Sequence, residues 1–423
     1  MIAEIIAVGS EMLTPHRQDT NSLYLTAQLN ALGVNVAFKT IVGDNLQHLT
    51  SAARTALGRA DIVIFSGGLG PTNDDLTREA AASALGIGIR RDPELVAALY
   101  KRFAARRMVM PPNNAQQADV IEGATILANS AGSAPGQYLD TVVLSPDGEA
   151  HRKIVILLPG PPRELKTVYE ESCLPLLSVN LPTRHMSRRT LRMALLPESH
   201  VDARTAPIYQ QYPDIETTIL AGHGEIQLHF MTTRIDHEEA QARVDELAAR
   251  IELEMDADIF SSHGESLEEV VLLNLGMRHL TLSAAESCTG GMLSERLTAV
   301  PGSSRYFLGG AVVYSDHLKT AFADVPPEII ATYGPVSPET AIALAEGIRK
   351  RTGSSLGISI TGIAGPGPGS PGPDENKPIG LVYIGLADGQ ATSVTELHIT
   401  GDRDRIRLWA SLHALEILRR HLL

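Results

Sequence analysis

Cysteine is nearly missing from this chain: Cys173 and Cys288 are the only two in 423 residues. Two thiols build no disulfide framework, and no four-ligand zinc pattern surrounds them. Positive charge is the scarcer sign, with 36 Lys and Arg against 49 Asp and Glu, a net charge of -13. A protein that coats nucleic acid neutralises phosphates with Lys and Arg, so direct nucleic-acid contact is not expected. Nor is there an aromatic–basic stripe; aromatic residues make up only 4%. A small anionic ligand stays compatible with this balance, because local N–H groups can outweigh a negative global field. No stretch approaches the roughly 20 apolar residues that span a bilayer. The opening MIAEIIAVGS has no basic flank followed by a long apolar run. No signal peptide and no membrane contact are therefore expected, and the chain is expected to be cytoplasmic.

What is present is apolar material for several cores, 43% of the residues. The length implies two or three domains. Up to about residue 170, short apolar runs alternate with amphipathic ones. Ile2–Val8, 34–40, 61–65 and 154–158 read as strands, and 21–32 and 46–58 as helices. Strands apolar on both faces imply a parallel sheet covered on each side, whose carboxyl edge carries function. From 171 to 262 the texture is that of a small α+β connecting domain, without a chemical constellation. His223 and His229 there read as surface or strand-edge residues. From 263 to 423 α/β alternation returns, with strands near 281–284, 310–314, 356–361 and 381–386 and a final helix after Asp402. The segment 365–378, crowded with Gly and Pro, reads as a surface loop.

Three strand ends of this last domain are rich in glycine and hydroxyls. Glu286-Ser287-Cys288-Thr289-Gly290-Gly291 lies between a strand and a helix beginning near Met292. Free N–H groups at a helix start favour an anion, which suits an attacking hydroxyl beside an oxyanion hole. A capped strand-to-helix turn would look the same. Tyr314 and Lys319 stand five residues apart after the next strand. A partly buried Lys can be neutral and take the proton of a serine; most such pairs are a snorkelling Lys and a packed Tyr. Thr361-Gly362-Ile363-Ala364-Gly365-Pro366 leaves a third strand. In the first domain, Ser66-Gly67-Gly68-Leu69-Gly70-Pro71-Thr72-Asn73-Asp74-Asp75 follows the 61–65 strand. Its glycines could cradle a phosphate or a pterin, and its carboxylates could hold a cation or merely cap the next helix.

The three motifs of the last domain, with Tyr314-Ser315, Lys377-Pro378-Ile379-Gly380 and Gly401-Asp402-Arg403, resemble the C-terminal domain of the CinA family (competence/damage-inducible protein A). The resemblance implies deamidation of nicotinamide mononucleotide to the nicotinic acid form, without a cofactor. Ser287 would be the nucleophile, Lys319 its base and Tyr314 a hydroxyl partner. Thr289, Gly302, Ser304, Thr361, Gly362 and Ala364 would line the substrate, with Arg403 on its phosphate. Arg405 and Arg407 are rivals for that role, as Thr289 and Cys288 are for the nucleophile.

The N-terminal segment likewise resembles that family's first domain, which implies a molybdopterin-binding-like three-layer αβα fold. It also implies ADP-ribose hydrolysis to AMP and ribose 5-phosphate with a divalent metal, magnesium, cobalt or nickel. Asn21, Gly67, Gly68, Gly70, Thr72, Asp74, Gly136 and Gly160 would bind that substrate, and Asp75 and Glu164 the metal. Ser10 and Gln116 depart from the pattern, Gln116 standing where a Lys is expected; a missing cation would weaken anion binding. The family also suggests a homodimer. Two other readings remain open: a non-catalytic molybdopterin-binding or protein-interaction role for the first domain, and an accessory role in competence or DNA recombination.

Overall fold

The computed structural model describes residues 1–144, 147–365 and 373–423. These form two compact units, Met1–Ser187 with Thr233–Ala240, and Arg188–Thr232 with Gln241–Leu423.

In the first unit a six-stranded sheet, counted among the described residues, runs in the order Asn35–Val42, Ile2–Val8, Ile62–Ser66, Ala150–Leu158, Gly136–Leu144, Thr125–Leu127. The first four strands are parallel, as their continuous apolar runs predict. The last two are antiparallel additions, which corrects the expectation of a wholly parallel sheet. The reason is local: Gly136–Leu144 pairs with Ala150–Leu158 as a hairpin and needs no crossover helix. Ile5, Ile64 and Ile156 pack against Leu25, Leu29, Leu165 and Leu177 on one face. Ile6, Val63 and Leu157 meet Leu49, Ala53 and Ala81 on the other, giving three layers. Cys173 and Leu177 belong to the first of these cores, so the unit extends past the boundary at 170.

The second unit holds two sheets. The smaller follows the order Glu216–Gly222, Glu225–Arg234, His185–Ala194, Ile259–Ser261, and Val244, Leu247 and Ile251 of a long helix cover its Leu191, Leu228 and Phe230. The larger places Phe307–Val312, Leu282–Glu286 and Leu356–Gly362 in parallel, then adds Leu381–Ala387 and Thr392–His398 antiparallel. A chain of ions joins the smaller sheet to helices Leu267–Met277 and Met292–Thr298: Arg192 and Arg296 both hold Glu225, and Arg296 also holds Glu268. The residues from 171 to 262 divide between the two units, with most of their sheet in the second, and carry a core of their own around Leu191, Leu228 and Phe230. The expected loop at 365–378 lies in part outside the described residues, at 366–372, including Pro366. Among the described residues no helix is long and apolar enough to cross a membrane.

Helix Pro338–Thr352 packs on the larger sheet and supports helix Asp316–Ala323. The support is close at Gly347, where a Cβ would lie 1.6 Å from the Ala323 carbonyl oxygen. Neither backbone can yield without moving a helix. Gly347→Ala is expected to lower stability by about 1–3 kcal/mol, the usual range for overpacking, read as a lower melting temperature. An unchanged melting curve would mean that the two helices are not held this tightly.

Candidate functional site

The larger sheet of the second unit delivers Ser287, Tyr314 and Gly365 at the carboxyl ends of neighbouring parallel strands. Ladder hydrogen bonds hold these ends together: the Ser287 N–H donates to the Ile360 carbonyl (2.8 Å) and the Val313 N–H to the Glu286 carbonyl (2.8 Å). After Ser287 the chain turns, with Gly290 and Gly291 at φ of 63° and 97°, left-handed values that favour glycine. Inside the turn lies the Glu286 carboxylate, 1% exposed. It accepts hydrogen bonds from the N–H groups of Gly291 (3.1 Å), Leu293 (3.0 Å) and Ser294 (2.8 Å), and from the Ser294 hydroxyl (2.6 Å). Glu286 therefore caps helix Met292–Thr298 from within. This corrects the assignment of that helix start as the oxyanion hole, because its donors are occupied. The N–H groups of Cys288 and Thr289, which among the described residues meet no chain acceptor, remain for that role.

Lys319 is 2% exposed on helix Asp316–Ala323, and its ammonium lies 3.4 Å from Asp316. Burial pulls its pKa below the ordinary 10.5; Asp316 opposes the shift, and Asp374 and Cys288 are further titratable groups acting on it. Asp316 stands three residues before Lys319, a spacing that brings the two side chains together on one helix face. Tyr314 does not serve Lys319: it is 60% exposed, and its hydroxyl accepts from Arg403 Nη2 (3.0 Å). Cys288 is removed as a nucleophile, since burial pushes its thiol up to about 12. Thr289 is fully buried, its hydroxyl meets no partner among the described residues, and its carbonyl accepts from Arg407 Nη2 (3.0 Å).

Other expected contacts are turned to structural use. The Thr361 hydroxyl donates to the Pro335 carbonyl (2.7 Å), so it is not free for a substrate. Gly362 admits the neighbouring Leu381 and Val382, and Ala364 packs in the core. Gly302 and Ser304 precede strand Phe307–Val312, at its amino end. They stand about 20 Å from Ser287 at 3.3 Å per residue, so within one chain they cannot shape the same pocket. Of the three arginines, Arg405 lies over the Trp409 ring (4.7 Å), whereas Arg403 faces Gly365 and Arg407 faces Gly290. Lys377 clamps its loop through the Tyr333 and Val336 carbonyls and Asp374.

In the first unit, the loop after Ile62–Ser66 forms one wall of a cleft of about 660 Å³. Gly67, Gly68, Gly70, Thr72, Asp74, Asn21 and Gly160 line it, as does Glu164. Gly136 does not; a Cβ there would meet the Leu157 carbonyl at 2.8 Å, so it serves strand packing. At Gly68 a Cβ would lie 2.2 Å from the Thr77 hydroxyl. Asn21 donates to Ser66 (3.0 Å) and to the Gly160 carbonyl (2.8 Å), tying helix Thr20–Ala31 to both loops. Asp74 is exposed, and a hydrogen bond from Thr72 holds its carboxyl below the usual range.

Asp75 and Glu164 do not fit a divalent metal as they stand. Both oxygens of Asp75 already accept, from Gly70 N–H (2.7 Å) and from the N–H (2.8 Å) and hydroxyl of Thr72. Glu164 accepts from Asn129 (2.8 Å). Among the described residues no three His, Cys, Asp or Glu side chains converge to hold a metal ion. Gln116, where a Lys was expected, donates to the Thr72 (2.8 Å) and Gly70 (3.4 Å) carbonyls and holds the loop. Ser10 and Asp44 exchange reciprocal hydrogen bonds (2.7 and 3.0 Å). A cation is supplied from behind: Arg78, 2% exposed, donates to the Leu69 carbonyl (2.8 Å). The N–H groups of Gly68 and Leu69 meet no chain acceptor among the described residues.

Comparison with known proteins agrees with this division. The family model described as CinA C-terminal domain matches residues 264–422, and that described as probable molybdopterin binding domain matches 4–179. A CinA-like protein of Acidobacterium capsulatum is 58% identical over 423 residues, covering 100% of both chains. One of Koribacter versatilis is 56% identical with the same coverage. A crystal structure of a CinA protein of unknown function from Thermoplasma acidophilum is 30% identical, covering 40% of this chain and 96% of its own, with a TM-score of 0.36.

If Asp75 organises the loop and holds no metal, Asp75→Ala should lower the melting temperature equally in EDTA and in magnesium. The loss expected is about 0.5–2 kcal/mol, that of a deleted cap. A loss seen only in magnesium would assign the residue to the metal.

Proposed function

Because the chain belongs to the CinA family, we propose that its second unit hydrolyses a carboxamide, with nicotinamide mononucleotide as substrate. The observation that carries this reading is the buried Lys319 at the same sheet edge as Ser287, on the neighbouring parallel strand's exit. A lysine so desolvated gives up its proton more easily than an exposed one and can act as a base. Neutral Lys319 accepts the Ser287 hydroxyl proton as the oxygen bonds to the carboxamide carbon. The oxyanion that forms meets the N–H groups of Cys288 and Thr289. Collapse breaks the C–N bond, and Lys319 returns its proton to the departing ammonia. Water, deprotonated by the same lysine, then opens the ester to the acid and frees Ser287. Arg403 and Arg407 supply the positive charge that suits a nucleotide phosphate.

For the first unit, the reading supported is binding of a pyrophosphate-bearing nucleotide, ADP-ribose by resemblance, at the Gly68 and Leu69 N–H groups. No hydrolytic step is derived there, since Asp75 and Glu164 are committed within the fold.

Ser287→Ala should reduce ammonia release from nicotinamide mononucleotide by about a thousandfold or more with the fold retained; undiminished turnover removes Ser287 from the reaction. The base role predicts a rate that climbs with pH and levels off above the folded pKa of Lys319. The stability effect has a definite sign. The folded state resists protonating Lys319, so its penalty is complete below the lowered pKa and fades as pH rises toward 10.5. Lys319→Met should therefore be inactive yet melt higher than the parent at neutral pH, with the gain vanishing above that range. An inactive variant that melts lower would make Lys319 a structural residue.

A further inference from the structure

Arg405 is left unused by the carboxamide site. Arg403 and Arg407 stand four residues apart and face Gly365 and Gly290 at the catalytic edge. Arg405, two residues from each, leaves helix Arg403–His421 on another side. There it lines a cavity of about 270 Å³ with Trp409 and His413, which follow it at four-residue spacing on one helix face. The chain leaving strand Thr392–His398 supplies the rest of the lining, Leu397, His398, Ile399 and Thr400.

The three helix residues carry donors that the chain does not use. The Arg405 guanidinium lies over the Trp409 ring, 4.7 Å from its centroid, and among the described residues it makes no side-chain hydrogen bond and no ion pair. Nor is the Trp409 indole N–H or the His413 ring hydrogen-bonded there. The nearby acids are spent elsewhere. Glu396 accepts from Tyr383 and His398, and Glu416 from Arg419 and Arg420. Asp402 accepts from the Arg405 backbone N–H, and Asp404 pairs with Arg407. Burial lowers the pKa of His413, with Glu416 opposing, so Arg405 is the lasting positive charge of the cavity. The indole beneath it is closely packed, since a Cβ at Gly224 would lie 3.4 Å from that ring. Gly401, at φ of 132°, leaves room for the Arg405 stem. Stacking fixes the plane of a guanidinium while its N–H edge stays free, and that edge matches two oxygens of a carboxylate or phosphate. Leu397 and Ile399 add hydrocarbon beside it, in a space smaller than the roughly 300 Å³ at which pockets for drug-sized ligands begin.

We propose that Arg405, Trp409 and His413 form a second binding site of this unit, for a small oxyanion carried on a compact apolar body. Arg405 takes the anionic head, Trp409 orients the arginine, and Leu397 and Ile399 receive the body. The site stands whether or not Ser287 is a nucleophile, because it shares no residue with the catalytic edge.

Trp409 is the chain's only tryptophan, so its fluorescence reports on this cavity alone. The test is titration of the full-length chain with benzoate and with phenyl phosphate, which share a body and differ in the head. A saturable change in emission is expected, and the tighter of the two names the head as carboxylate or phosphate. Arg405→Ala should weaken that binding about tenfold or more, the loss of a charge-assisted hydrogen bond, with the melting curve unchanged. Should that variant misfold, Arg405→Lys reports instead, through a several-fold loss, since it keeps the charge and lacks the flat fork. Arg403→Ala should leave the affinity as it was. No saturable change with either probe up to about 10 mM, a concentration well above a millimolar dissociation constant, overturns the site. So does undiminished affinity in both Arg405 variants. Binding lost in Arg403→Ala but kept in Arg405→Ala also overturns it, because the anion then sits at the catalytic edge.

Discussion

A single buried carboxylate organises the candidate catalytic edge. Glu286 lies at the end of a fully buried strand, where an unpaired charge would be strongly destabilising. The chain resolves this by wrapping its next residues around the acid, so that four donors point inward at Glu286. Everything outward follows from that wrapping. Ser287 is left on the outside of the turn, the N–H groups of Cys288 and Thr289 stay unclaimed, and Arg407 can reach the Thr289 carbonyl. The motif's acid is thus not a reactant. It occupies the donors of the helix start and leaves the N–H groups of Cys288 and Thr289 open beside Ser287.

The first unit also places an acid inside a glycine-rich turn, here one that is only partly buried. Asp75 sits under its glycine loop and takes the donors of Gly70 and Thr72, while Arg78 approaches from the buried side. Internal acids in both loops use up the groups that a simple motif reading gives to ligands. This is why a carboxylate in a glycine-rich turn does not by itself signal metal. Lys319 is the contrasting case, a buried amine with one half-exposed partner, Asp316 at 3.4 Å, which offsets only part of the cost of its burial.

The interior arrangement of both large sheets also bears on function. In each, parallel strands bring loops from distant parts of the chain to one carboxyl edge, and antiparallel strands close the far side. The amino ends of the same strands stay remote, which separates Gly302 and Ser304 from Ser287 however close they stand in sequence.

Much of this was legible in the chain itself. Continuous apolar runs such as Ile62–Ser66 and Leu356–Gly362 announced buried strands, and Ser287, Lys319 and Gly67–Gly70 announced themselves at strand ends, because periodicity and backbone freedom are local properties. Strands with mixed polarity, Gly136–Leu144 and Thr392–His398, were missed, since pairing with a neighbour and not their own pattern makes them strands. The partners of polar groups were hidden for the same reason. That Tyr314 answers to Arg403, Thr361 to Pro335 and Asp75 to its own loop depends on which donors and acceptors packing brings within 3 Å. Residue type sets what a side chain is able to do, but hydrogen-bond capacity is finite, and only the folded chain decides where it is spent.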